Sequence, residues 1–235
     1  MRSNLQDPAA PPKLRVAPLA TNHSLQSLAY DAIKKAITEM DIYGGSGEIR
    51  LDERQLSHDL GVSRTPIRGA LTVLEQEGFV RTVPRRGIFV VRKTKQEIVE
   101  MITVWAALES MAARLATARA SDSDLGALRK MFAEFEEEAP AEHVDEYSEA
   151  NIAFHQAIIR LSGSPMIIDI TENLFLHMQA IRTSTIRQRD RASKSIREHM
   201  AIIEALEARD AERAERLVRD HNLDLAAHVE RFADF

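Results

Sequence analysis

Cysteine is absent from this 235-residue chain, which excludes a disulfide framework and thiol chemistry. Aromatic residues make up only 5% of it, while alanine and leucine abound, a balance that favours packed helices over sheet. No apolar run approaches the roughly 18 residues that a membrane span needs. The opening MRSNLQDPAAPPKLRVAPLA has no continuous apolar core of the signal-peptide kind. A soluble, cytoplasmic protein is expected. Glycine is scarce after residue 91, where only Gly126 and Gly163 occur. What is plentiful is apolar material, at 44%, enough to bury a core in one large domain or two modest ones.

The formal net charge of -5 disguises an asymmetry. Gly61 to Lys95 holds eight Lys/Arg against two Asp/Glu, a balance of +6. Lys93 to Phe235 holds 18 basic and 26 acidic residues, a balance of -8; the windows share Lys93 and Lys95. One segment suits a polyanion and the remainder repels it, so phosphate contact is confined to one face.

The basic segment has a legible order. Ser24 can cap a helix carrying Leu25, Leu28, Ala29, Ala32, Ile33, Ala36 and Ile37 at helical spacing. A glycine-rich turn follows at residues 43–47. Asp52 caps a short helix that Gly61 ends. Ser63 caps the next, with Pro66 in its first turn, where a missing N–H does no harm. Ile67, Leu71, Val73 and Leu74 face inward on that helix, and Gly78 stops it. Two β-rich runs, Phe79-Val80-Arg81-Thr82-Val83 and Ile88-Phe89-Val90-Val91, flank Pro84-Arg85-Arg86-Gly87. Helix, tight turn, helix and basic hairpin is the order of a winged helix-turn-helix.

In such a module the second helix enters the major groove of double-stranded DNA by its N-terminal end. Here that end is Ser63-Arg64-Thr65-Pro66-Ile67-Arg68. Arg64 and Arg68 lie one turn apart, and arginine suits bidentate contact with guanine. Thr65 can bond phosphate or touch a thymine methyl. Arg54 is placed to meet the backbone, and Arg85 and Arg86 at the wing tip to reach phosphate or the minor groove. Gly87 is read as permitting close approach. These residues resemble the N-terminal domain of GntR-type bacterial repressors, through Leu60 to Arg68, Glu77-Gly78-Phe79-Val80 and Arg86-Gly87. The resemblance covers about Leu25 to Val91. It implies a homodimer on a short palindromic operator, with Arg54, Arg64, Thr65 and Arg68 at the DNA-contacting positions. Gly69 departs from the family, which usually has Glu there.

Beyond the linker at Lys93-Thr94-Lys95 the pattern is helical throughout. Six segments are predicted: 95–118, 122–138, 142–161, 165–188, 192–208 and 211–232. The fold class expected is therefore mainly α: a winged helix-turn-helix with a small β wing, then an all-α six-helix bundle. The divisions are a disordered tail (1–23), a DNA-binding unit (24–92) and a helical effector-binding and dimerisation unit (93–235).

Eight histidines punctuate the chain. Asn151 and His155 are four apart and share a helix face. His199 and His221 are each 11 residues from Asp210, where a turn is predicted. In an antiparallel hairpin their imidazoles stand at one height. Three histidines and one oxygen ligand, from three helices, can then converge on a divalent transition metal, Zn or Ni. His23, His58, His143 and His228 are read as surface or satisfied residues. This region resembles the FCD ligand-binding domain of FadR-type GntR regulators, in the VanR-like subgroup. The carrying motifs are Leu108-Glu109 with Ala112-Ala113, Asn151-Ile152-Ala153-Phe154-His155, Ser162-Gly163-Ser164-Pro165, Glu198-His199 and His221. The resemblance implies Asn151, His155, His199 and His221 as metal ligands. Asn151 stands where Asp is common, so the ligand set is neutral. Trp105 stands where many relatives have Arg, and is read either as plain core or as an aromatic wall of the effector site. Arg182 and Arg187 are the candidate cations for a carboxylate.

Together these readings describe a DNA-binding transcriptional repressor controlled by a small organic acid at a metal. Two alternatives differ in kind. A DNA-organising dimer would bind DNA with little sequence preference and answer to no ligand. A metal-dependent hydrolase would need a general base beside the metal, and no HExxH-type motif is present.

Overall fold

In a computed structural model the described residues are 24–40, 42–43, 47–132, 135, 144–186, 188 and 191–232. The expected N-terminal tail, glycines 44 and 45, the Ala139-Pro140 break, His23, His143 and Arg187 lie outside them. Nine helices and one small sheet are present among the described residues. The first part runs α1 (Leu25–Glu39), β1 (Arg50–Leu51), α2 (Glu53–Asp59), α3 (Arg64–Gln76), β2 (Val80–Val83) and β3 (Gly87–Val90). The second runs α4 (Lys95–Arg119), α5 (Asp122–Lys130), α6 (Val144–Leu161), α7 (Pro165–Ile186), α8 (Arg191–Glu207) and α9 (Ala211–Phe232).

The helix boundaries follow the capping residues. Ser24 accepts from the Ser27 amide, and Asp52 from those of Arg54 and Gln55. Thr94 and Glu97 close a reciprocal capping box on α4, as Ser121 and Asp124 do on α5. Ser63 occupies the cap position of α3 but its side chain makes no capping bond. Gly61 and Gly78 end α2 and α3 with φ of 65° and 79°, the left-handed region open to glycine. Two expectations need correcting. Leu25 and Leu28 are exposed, and α1 buries Ala29, Ile33 and Ile37 instead. The helix expected over 122–138 gives way to a turn at Met131 and Phe132, Phe135 is helical again, and residues 133–134 and 136–138 lie outside the described ones.

The sheet has three antiparallel strands in the order β1-β3-β2. β2 and β3 are the predicted wing. β1 is an addition, pairing Arg50 with Phe89 and Leu51 with Ile88. Its two residues are too short for period-two alternation to register in sequence. Gly69, half-buried on α3, faces α1: a Cβ there would lie 2.6 Å from the Gln26 amide.

In the bundle, α4 is the central helix and packs most extensively against α9, then α6 and α7. Its run Ala106, Ala112, Ala113, Ala116 is buried, and small side chains let the neighbours approach. The two parts share one continuous core. Tyr43, just after α1, donates or accepts a 3.0 Å hydrogen bond with His177 Nδ1 on α7. Both are buried, and this raises the Tyr43 hydroxyl to about 12 and lowers His177 to about 4.

Candidate functional site

Arg54, Arg64, Thr65 and Arg68 are all exposed, along the first turn of α2 and the start of α3. Burial of Ile67, Ala70, Leu71 and Leu74 on the opposite face of α3 turns them outward. Arg68 Nε donates to Glu53 Oε2 at 2.8 Å, and Arg64 has no ion-pair partner among the described residues. Arg85 and Arg86 are exposed at the wing tip, where Arg85 takes a φ of 64°. Arg86 is tied to Glu48 at 2.6 Å, and Arg81 shares that carboxylate. Gly87 has φ 119°, and a Cβ there would lie 2.9 Å from Arg50 Nε. The wing's own geometry therefore requires glycine at this position, whatever approaches from outside.

The histidines converge. One ring nitrogen from each of His155 (α6), His199 (α8) and His221 (α9) lies within 4.8 Å of the others. Ring centroids are 4.7 to 5.2 Å apart. Asn151 sits one turn before His155 on α6 and is buried with it. The α8–α9 turn is what levels His199 with His221: Asp210 accepts from the Arg213 amide and Arg209 takes a left-handed φ of 57°.

Each imidazole is held from behind by its Nδ1. His155 Nδ1 meets Glu109 Oε1 at 2.5 Å, His221 Nδ1 meets Glu198 Oε2 at 2.6 Å, and His199 Nδ1 meets the Tyr147 hydroxyl at 3.1 Å. Carboxylates at Nδ1 place the ring proton there and leave Nε2 with its lone pair. All three Nε2 atoms, and Asn151 Oδ1, are buried without a hydrogen-bond partner. The unmet imidazole nitrogens and the Asn151 oxygen carry a desolvation cost in this packed interior that a bound cation would relieve. Burial keeps the imidazoles neutral: His155 and His199 are held well below the usual value, and His221 below it despite Glu198. Phe132 and Phe154 stand 5.0 and 4.6 Å from the His199 ring and exclude water there. The donor set therefore fits a divalent transition ion, with three imidazole nitrogens and one amide oxygen.

Arg182 and Trp105 both reach this centre through one carboxylate. Glu109 is fully buried and receives Trp105 Nε1 at 2.6 Å and Asn222 Nδ2 at 2.9 Å. Arg182 lies 3.9 Å from it and donates to Asn222 Oδ1 at 2.6 Å. Burial pushes the Glu109 carboxyl up, opposed by Arg182, Asn222 and Trp105; burial lowers Arg182 to about 10, still a cation at neutral pH. Arg182 Nε keeps an unmet donor. Trp105 is buried in the core, and its indole N–H helps hold the carboxylate that orients His155.

Sequence reasoning gave no role to Glu109, Tyr147 or Asn222, and Glu198 entered it only within the Glu198-His199 motif. Glu198 points toward His221 on the next helix. Signals existed for two of them. Glu109 is a lone acid in the apolar run Ala106 to Ala113, and Tyr147, Asn151 and His155 form a stripe at four-residue spacing.

Two family models match the chain: "Bacterial regulatory proteins, gntR family" over residues 25–90, and "FCD domain" over residues 100–224. An uncharacterised helix-turn-helix regulator of Bacillus subtilis, YdhC, is 28% identical over 146 residues, 62% of this chain and 64% of that protein. The gluconate operon transcriptional repressor of Bacillus licheniformis is 31% identical over 147 residues, 61% of this chain and 58% of that one. These matches span about three fifths of the curated relatives' own lengths. Escherichia coli McbR/YncC has the same fold, with a TM-score of 0.72 at 23% identity, over 88% of this chain and 98% of that one.

Proposed function

The chain belongs to the GntR family of bacterial regulatory proteins and carries an FCD domain, and from that premise we propose that it is a metabolite-controlled transcriptional repressor. Its two units are residues 24–92, which read DNA, and 93–235, which bind the effector and a second copy of the chain. It acts in the cytoplasm, and no helix among the described residues is long and apolar enough to cross a membrane. The proteins it matches are named as regulators, not enzymes.

On DNA, Arg64 and Arg68 read base edges, Thr65 and Arg54 fix the register on the backbone, and Arg85, Arg86 and Gly87 form the wing contact. A dimer on a palindrome is supported by one face of α4, where Val104, Leu108, Met111 and Leu115 recur at four- and three-residue steps. Val104 and Met111 are about half exposed.

The observation that carries the control reading is the set of buried polar atoms without a hydrogen-bond partner: Nε2 of His155, His199 and His221, and Oδ1 of Asn151. These residues would hold Zn or Ni. When bound, the ion supplies a positive centre with free coordination positions for a small carboxylate. The chain's own residues do the rest. Glu109 and Glu198 fix the tautomers of His155 and His221, Tyr147 positions the His199 ring, and Arg182 offers its remaining donor to the anion. Arg182 and His177 share α7, and His177 meets Tyr43 beside α1. A ligand that shifts α7 therefore biases the DNA-reading unit, provided it binds two arrangements with different affinity.

The test uses full-length, tag-free protein. Elemental analysis is expected to find about one transition ion per chain. Anisotropy with DNA flanking its own gene is expected to report tight binding that small carboxylates weaken. No ion after incubation with Zn or Ni would refute the metal centre, and indifferent binding to all DNA would refute the repressor.

A further inference from the structure

The last two helices carry a polar feature that the histidine centre does not use. A cleft of about 390 Å³ opens between the first turns of α8 and the end of α9. Its lining includes Gln188, Arg191, Lys194, Arg197, Asp224 and Arg231, and no residue of the histidine centre. Gln188 lies just past α7, and Arg191 opens α8. His228 Nε2 on α9 meets Gln188 Oε1 at 3.0 Å, which ties α9 to the α7–α8 connection beside the cleft.

The charge of this cleft is anomalous. Four cations face one carboxylate, within a segment whose formal balance is -8. Asp224 is divided between Arg191, at 3.2 Å, and Lys194. Lys194 also lies 3.6 Å from Glu198. Arg197 and Arg231 are exposed and have no ion-pair partner among the described residues. Arg191 differs from these surface cations. It is more than nine-tenths buried, yet its Nε has no hydrogen-bond partner. A buried guanidinium with an unmet donor is costly, and an anion beside it offsets that cost. The first turn of α8 adds the positive end of a helix dipole.

The chemistry favours a phosphate monoester over other anions. Four cations less one carboxylate leave a surplus of three charges, and a monoester brings roughly 1.5 to 2 negative charges in one group at neutral pH. Planar guanidiniums match phosphate oxygens in pairs. A terminal phosphate can enter a recess, whereas the phosphates of a duplex are diesters flanked by sugar on both sides. Ala227 and the exposed Phe232 complete the lining with an apolar shelf for the carbon body of the ester.

We propose that this cleft binds a small phosphomonoester, at a second ligand site separate from the histidine centre. The phosphate lies against Arg191, and Arg197 and Arg231 close on it from the rim. Neither a metal nor an acid at the histidines is required.

Calorimetric titration of the full chain in buffer free of phosphate and sulfate tests it. The probes are glucose 6-phosphate, glycerol 3-phosphate and phenyl phosphate. Inorganic phosphate, dimethyl phosphate and a DNA duplex of unrelated sequence are the comparisons. At least one monoester is expected to bind about tenfold more tightly than inorganic phosphate or dimethyl phosphate. The double variant Arg197→Gln, Arg231→Gln, at exposed positions outside the core, is expected to weaken that ester at least about tenfold. Its unfolding temperature and metal content should match those of the natural chain. An affinity that survives the double variant places the ester elsewhere and overturns the cleft. Equal affinity for ester and inorganic phosphate leaves an inorganic anion site and overturns the monoester. A duplex that competes with the ester, and does so less in the double variant, makes the cleft a DNA backbone contact and overturns the small ligand. Binding of no phosphate compound overturns the proposal outright.

Discussion

Arginines at the start of α3 and histidines at the centre of the bundle are both clusters of nitrogen donors, set in opposite surroundings. Arg64 and Arg68 are exposed to water, and only Arg68 is paired with a carboxylate, that of Glu53. His155, His199 and His221 are buried, neutral, and each held at Nδ1 by a fixed partner. The exposed cluster can attract a polyanion from a distance, but its field is screened within about 10 Å at 0.1 M salt. The buried cluster attracts nothing from afar, and its geometry is preset. One site gains by mobility and charge, the other by orientation and loss of charge.

The largest expected effect lies at the buried site. His199→Ala with His221→Ala should abolish stoichiometric metal while sparing operator affinity. Elemental analysis and anisotropy read the two, and a double variant that keeps one ion per chain would end the comparison. Next is His177, the buried imidazole between the parts. Its folded value of about 4 lies below the ordinary 6.5. Between those values unfolding takes up a proton, so stability is intact above pH 6.5 and is lost as the pH falls toward 4. The loss attributable to this group is roughly 3 kcal/mol. Urea melts at pH 7 and pH 4.5 should show a shallower loss in His177→Gln than in the natural chain.

At the exposed site, Arg64→Ala should cost about 1–3 kcal/mol on the operator and relax one base position. Arg68→Ala should cost less, because Arg68 must leave Glu53 before it contacts DNA. Competition binding with base-substituted operators checks both, and equal losses would show that the Glu53 pair has no influence. The smallest effect is expected from Tyr147→Phe, which removes a hydroxyl behind His199. Metal affinity should fall by about tenfold without loss of stoichiometry. A competitive chelator titration measures it, and no change would mean that packing alone orients His199.

Most of the helical elements were legible in sequence because their caps are local. Ser24, Asp52, Gly61, Gly78 and Asp210 each act on residues within a few positions. The convergence of His199 and His221 was legible for a related reason, since equal distance from a turn fixes relative height in a hairpin. Strand β1 was not legible, because its two residues become a strand only when β3 supplies the hydrogen bonds. Nor was the destination of Glu198, because adjacency to His199 says nothing about which neighbouring helix its face meets.

The sequence by itself determined the order of elements, the exposed arginines of α3 and the histidine pattern of the bundle. All of these follow from periodicity, capping and charge, which operate over a few residues. Only the tertiary structure decided that Glu109 would stand buried among Trp105, His155, Arg182 and Asn222, four residues drawn from four helices. It alone joined α7 to Tyr43, and left Arg191 with a donor unmet beside an open cleft. Those outcomes depend on which helix faces pack together, and burial then converts that choice into charge state, tautomer and unmet hydrogen bonds.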